Sequence, residues 1–414
     1  MSATGGRTDH PLRMLFTTQP ASGHLRPLVP VAQAARERGH DVAVLAPDCM
    51  RAELDSYGLR HVTGGYDWRM EAWRLLPRDY GELTFDEAAE ACMATGAPLT
   101  RSFAGHIARA TARDILDLAG TWRPDLIVRE LDEMGGYLAA EALEIPHVSI
   151  ASFGGLDQVT GEALGPILDE GRRELGLVPD PSGTRLYHYL HASFLPEAYG
   201  EAELILPNTR TYRHPNAEQR YGRLPEWLAD LDHDRPFVFA GFGTVVYALP
   251  GSEEFVAEVI DALGELDANA VLAVGSRGDE LAYGPVPENV RLVRFIEQSL
   301  MLEGADLFIT HGGLNSIKEA LRPGIPMVAL PVLEDHRHNA EQLARIGLSK
   351  TVGLHEASAA SIADACAEVL TTPSYRAQAR RLQRHIHAQP SLAQLIDDME
   401  LVVREATAPA PAPA

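Results

Sequence analysis

The sequence predicts an α/β fold built from two doubly wound parallel-sheet domains that face each other across a cleft. Three observations carry that reading. Short apolar runs alternate with amphipathic helical stretches along most of the chain. The alternation stops after Pro207 and starts afresh at Phe237. Glycine-bearing turns follow the first strand of each series and a later strand of the second, where such sheets bind ligands.

In the first series the runs Arg13–Thr17, Asp41–Leu45, Leu126–Val128, His147–Ile150 and Glu203–Leu206 read as buried strands. Leu28–Arg38, Ile107–Leu118 and Met134–Leu143 read as helices, because apolar residues recur three and four apart. Asn208–Arg235 has no clear periodicity and is rich in Pro, Arg, Asp and His, the composition of a linker. The second series has strands at Phe237–Ala240, Ala270–Val274, Val290–Val293, Leu307–Thr310 and Met327–Leu330. Its helices fit Glu253–Leu266, Leu314–Arg322, Asn339–Ile346 and Ser361–Leu370.

The 414 residues suit two domains, and a hydrophobic share of 45% supplies a core for each. A net charge of −22 argues against nucleic acid or an anionic membrane surface as partner. Cys49, Cys92 and Cys366 are scattered and odd in number, which fits a reducing compartment rather than a disulfide framework. The longest apolar run, Ile325–Leu333, is too short to span a bilayer and contains prolines; Met1–Pro11 has no apolar core. A cytoplasmic location is expected. The Ala-Pro tail, 406–414, is expected to be disordered.

The most informative segment is Asp306–Leu321. An apolar strand ends at Thr310, His311 follows, Gly312 and Gly313 allow a tight turn, and a helix starts near Leu314. Unpaired N–H groups and the positive end of the helix dipole then face the cleft. Asn315 and Ser316 add donors in the first turn, or serve only as caps; Glu319 reaches a sugar hydroxyl or sits on the surface. A second turn, Ala240–Thr244, offers close backbone approach at Gly243 and a hydroxyl at Thr244, with a plain strand-to-helix turn as the alternative. In the first domain, Ser22-Gly23-His24-Leu25-Arg26-Pro27 places a histidine at the edge of the sheet. The pairs His188/His191, His336/His338 and His385/His387 lack a third ligand, so no metal is expected.

The ordered set Phe295, Gln298, Thr310-His311-Gly312-Gly313, Asn315-Ser316, Glu319, Gly324-x-Pro326, Asp335-His336 and Asn339 resembles the donor-binding signature of GT-B glycosyltransferases of family 1. Within that family it is most similar to actinobacterial antibiotic and macrolide glycosyltransferases. The resemblance runs from Leu15 to about Leu370. It implies two Rossmann-like domains: residues 1–210 for the acceptor, a linker at 211–232, residues 233–385 for the nucleotide sugar, and a helix at 386–405 returning to the first domain.

The resemblance also implies roles. Phe295 is a platform for the base, Gln298 contacts base or ribose, and Glu319 grips the ribose. His311, Asn315, Ser316, Gly243 and Thr244 surround the diphosphate. Asp335 and His336 bind the transferred sugar; His336 departs from the usual Gln, and Glu297 stands where proline is frequent. His24 is the general base on the acceptor hydroxyl, and imidazole suits that task because it titrates near working pH. Glu130, where Asp is commoner, orients it, with Asp132 and Glu133 as rivals. The aromatic stretch 66–106 suggests an acceptor wall of Trp68, Trp73, Phe85 and Phe103, or else core; Phe153 is a further pocket candidate.

The expected activity is inverting transfer from a dTDP- or UDP-sugar to a hydroxyl of a small lipophilic natural product, without cofactor or metal. A homodimer is left open. Two other readings share the plan: a nucleotide-sugar epimerase or hydrolase, and a catalytically silent sugar-nucleotide-binding protein. A dehydrogenase is disfavoured, since no GxGxxG follows the first strand.

Overall fold

The computed structural model describes residues 10–152, 156–200, 206–214, 223–275 and 283–408. Among these, two parallel sheets form the frame. The first has the order β3-β2-β1-β4-β5-β6-β7, from β1 (Arg13–Thr17), β2 (Asp41–Ala46), β3 (His61–Thr63), β4 (Leu126–Glu130), β5 (His147–Ile150), β6 (Leu190–Ser193) and β7 (Thr209–Thr211). The second has the order β10-β9-β8-β11-β12-β13, from β8 (Phe237–Gly241), β9 (Asn269–Ala273), β10 (Val290–Val293), β11 (Leu307–Thr310), β12 (Met327–Ala329) and β13 (Ser349–Thr351). Every strand pair is parallel. The run read at Glu203–Leu206 lies mostly outside the described residues.

Helices cover both faces of each sheet, which is why the central strands β1, β2, β8 and β11 are largely apolar rather than alternating. The order of each sheet reverses once, between β1 and β4 in the first and between β8 and β11 in the second. A crevice opens beyond the strand ends at such a reversal. The four loops that leave β1, β4, β8 and β11 therefore hold the chemistry.

Two segments cross between the halves. The helix Leu392–Thr407 buries Leu395, Ile396, Met399 and Val403 in the first core, and its Glu400 accepts from His40 at 3.2 Å. In the other direction, the helix Phe85–Met93 leaves the first domain to pack on the second. Phe85 stacks on Phe255 at 4.7 Å and, with Ala88 and Ala89, joins the core around β8 and β9. His355 holds the start of that helix through Asp86 at 2.7 Å. This corrects the expected role of Phe85: it is core, not acceptor wall.

Candidate active site

The loop after β1 carries His24 in a short helix, Ser22–Leu25, that starts from extended Ala21. The strand β4 ends at Glu130, whose side chain is fully buried. Its Oε2 lies 3.1 Å from His24 Nδ1; the atoms face each other as an ion pair, off the line of a straight hydrogen bond. Oε1 of Glu130 accepts from the amide of Asp132 at 3.0 Å and from the Ser152 hydroxyl. Glu130 thus cannot swing away.

Burial alone would push the His24 imidazole down, but Glu130, then Asp132 and Asp335, outweigh it and raise its pKa to about 9. Burial also works against the charge on Glu130, yet His24 and the donors from Ser152 and Asp132 hold it below the ordinary carboxylate range. Asp132 pays for its neighbour: burial and the Glu130 charge raise it to about 8. Glu133 is spent elsewhere. It accepts from the amides of Gly135 at 2.7 Å and Gly136 at 2.9 Å, so it caps the helix Gly135–Leu143.

The facing wall comes from β8 and β11, whose register pairs Thr310 with Gly241, so their turns emerge side by side. Gly243 (φ +69°) and Gly312 (φ +86°) occupy conformations that favour glycine. His311 lies beneath both turns, and its ring meets His336 edge-on at 4.5 Å. Burial drives the pKa of each to about 3, so both are neutral. His336 Nδ1 accepts from the Leu333 amide at 3.1 Å, which leaves the proton on Nε2. Asn339 donates to the Gly312 carbonyl at 2.8 Å and holds the turn shut.

A cavity of about 530 Å³ joins the two walls. His24, Asp132 and Ser152 line it from the first domain; Gly243, Thr244, His311, Gly313, Asn315, Ser316, Asp335 and His336 line it from the second. Trp68 and Phe103 meet edge-on at 5.3 Å and form its apolar side with Leu99, Val159 and Val246. The sequence reading missed Leu99, Val159 and Val246, because isolated aliphatic positions carry no signal of their own; Phe242 lies within the Ala240–Thr244 turn, and His338 was weighed only as half of a metal pair.

Other expected residues lie elsewhere. Trp73 is 59% exposed and packs edge-on against Tyr80 in a separate pocket between the domains, so it is no part of this wall. Phe153 lies outside the described residues. Asn315 spends its amide on the Gly23 carbonyl across the cleft at 2.8 Å, beside the base rather than on an anion. Gln298 donates to Glu319 at 2.6 Å and to Ser316 at 3.2 Å, which joins this pair to the cavity rim. Phe295 is 68% exposed, an apolar face without a core.

His24, Glu130 and Asp132 each bring one donor atom within 4.8 Å of the others. An imidazole with two carboxyls, one of which keeps its proton near neutrality, is equipped for proton transfer. Opposite stands the start of the helix Leu314–Leu321, whose first-turn amides have no intrahelical acceptor. A buried imidazole–carboxylate pair on one wall thus faces a glycine turn and a helix start on the other, across one cavity between two domains.

Comparison with known proteins narrows the class. Residues 257–402 match the family described as erythromycin biosynthesis protein CIII-like, C-terminal domain. The chain is 28% identical over 423 residues to tylactone mycaminosyltransferase of Streptomyces fradiae, covering 94% of this chain and 92% of that one. It is 27% identical over 440 residues to TDP-daunosamine transferase DnrS of Streptomyces peucetius, covering 96% and 99%. The crystal structure of the glycosyltransferase SnogD from Streptomyces nogalater superposes with a TM-score of 0.73 at 26% identity, over 95% of this chain and all of that one. The protein is a glycosyltransferase with the GT-B fold. Its relatives include actinobacterial macrolide and antibiotic glycosyltransferases. No helix among the described residues is long and apolar enough to cross a membrane.

Proposed function

We propose that the protein is an inverting O-glycosyltransferase that moves a sugar from a dTDP-sugar, or else a UDP-sugar, to a hydroxyl of a small lipophilic natural product. One observation carries this reading: His24, backed at 3.1 Å by a buried carboxylate, shares a cavity with the anion-cradling turn at His311–Ser316. His24 takes the acceptor proton as the oxygen attacks the anomeric carbon. The diphosphate leaves toward the helix start, where fixed dipoles and the neutral donor His311 stabilise its charge. Gln298 and Glu319 suit the ribose, and Phe295 offers an apolar face for the base. Asp335 and the Nε2–H of His336 suit the sugar. The Trp68–Phe103 corner fits a flat or lipophilic acceptor. Thymidine is preferred over uridine because a relative over nearly the whole chain is named for a TDP-sugar.

The test is incubation with a dTDP-hexose and a panel of aromatic and polyketide alcohols. The expected product is a glycoside of inverted anomeric configuration, read by mass spectrometry and NMR. Free sugar or an epimerised donor without glycoside would favour the hydrolase or epimerase reading, and binding without turnover the silent one.

A further inference from the structure

Asp132 stands two residues beyond the end of β4, and its backbone is fixed at both ends. Its N–H donates to Glu130 at 3.0 Å, and its carbonyl accepts from the Gln19 amide at 3.1 Å. Its side chain is only 7% exposed. Oδ1 is sealed from solvent and has no hydrogen-bond partner among the described residues; Glu130 Oε2 and His24 Nδ1 are sealed likewise and have only each other, at 3.1 Å. Three sealed titratable atoms therefore belong to side chains whose donor atoms lie within 4.8 Å of one another.

We propose that Asp132 is a positioning residue, the third member of the base unit, whose carboxyl acts on His24 beside Glu130 and sets when the imidazole can accept a proton from the acceptor. The inference rests on His24 acting as the base. The charged groups facing His24 are Glu130 at the strand end, Asp132 after it and Asp335 from the second domain; Asp132 also faces Arg129. Two buried carboxylates so close cannot both stay charged against a single imidazolium without cost. At neutral pH the unit therefore holds one imidazolium, one carboxylate and one carboxyl. The unit titrates as a whole, so its two apparent values belong to the set rather than to single residues. As Asp132 ionises, its added negative charge strengthens His24 as a base. A lone His–Glu pair lacks this second control.

The experiment compares the wild type with Asp132→Asn, which keeps shape, and with Asp132→Ala. The His24 Cε1–H resonance is followed by NMR against pH, assigned with His24→Asn, and kcat/KM for an alcohol acceptor is measured over the same range. The His24 midpoint should fall by roughly one unit in both variants, and the acid limb of kcat/KM should move with it. A dispersed histidine spectrum identifies the folded variants, and either one suffices. An unmoved midpoint overturns the proposal, whether activity is retained or KM for the acceptor rises alone. A wild type that shows the titration shift but no sugar transfer would instead overturn the reading of function on which the inference rests.

Discussion

Gly313→Ala isolates what His311 does. Gly313 has φ −64° and ψ 135°, a conformation that any residue adopts, so the substitution adds no backbone strain. The new Cβ would overlap His311 Nε2 and come within 3.1 Å of Cε1 and 3.2 Å of Cδ2. The imidazole must move, and the ring of His336 at 4.5 Å limits where it can go. If His311 donates to a phosphate, the variant loses one hydrogen bond to a charged group, worth about 1.5–3 kcal/mol. That is about one to two decades in affinity. Calorimetry with dTDP and with thymidine separates phosphate from base: dTDP should weaken by that factor, and thymidine should stay within about twofold. The effect should vanish in a His311→Ala background, since there is no ring left to displace. An equal loss for both ligands, or an undiminished loss in the double variant, would refute the assignment of His311 to the diphosphate.

The remaining predictions concern chemistry, pH and docking. His24→Ala should leave sugar-nucleotide affinity within about twofold while turnover of an alcohol falls by roughly 10²–10⁴; a nitrophenol, largely ionised without help, should lose much less. Single-turnover assays on the two acceptors check this, and an equal loss on both would remove His24 from the role of base. Because the three carboxyl groups hold its proton up to about 9, kcat/KM for an alcohol should climb with pH below that value, and His24→Ala should flatten the climb. Phe85→Ala should cost about 3–5 kcal/mol, the usual cost of truncating a buried Phe, because Phe85 is 6% exposed and stacked on Phe255. Denaturant unfolding measures it, and a loss below 1 kcal/mol would place Phe85 outside the core.

Much of the frame was legible because apolar strands and glycine turns leave local marks. β1, β5, β10 and β11 begin and end where the apolar runs do. Four strands were invisible for a physical reason. β3, β6, β7 and β13 span three or four residues, and sequences such as Leu190-His191-Ala192-Ser193 or Ser349-Lys350-Thr351 show no period. They are strands only because a neighbour's edge receives them. The contact of His24 with Glu130 was readable only through the family resemblance, which sets a carboxylate at the end of a later strand beside the histidine of the first loop. The fate of the aromatic stretch 66–106 was not. Trp68, Trp73, Phe85 and Phe103 look alike in sequence, yet one pair lines the cavity, one ring reaches a surface pocket, and Phe85 crosses to the other domain. What divides them is a partner, Phe255, in the second half of the chain.

The crossing of Phe85 also bears on how the two walls work together. The segment that runs from Trp68 to Phe103 begins and ends at the first-domain side of the cavity, while its middle is fixed to the second domain by Phe255 and His355. Asn315 makes the reciprocal link, from the donor helix to the carbonyl beside His24. Each domain thus carries a piece of the other's site. The chemistry of the walls is divided just as clearly. On the proposed reading, a protein of net charge −22 holds its anion with neutral donors: helix amides, His311, and His336 with its proton on Nε2. Those donors do not titrate between about pH 5 and 8, since burial keeps both imidazoles uncharged there. Titration gathers instead around His24, which Glu130 and Asp132 face from its own wall and Asp335 from the other. Asp335 is the link between the two walls: it lines the cavity from the second domain, and its carboxyl faces His24. On the proposed reading, the imidazoles that hold the anionic donor keep a fixed charge while the base across the cavity titrates.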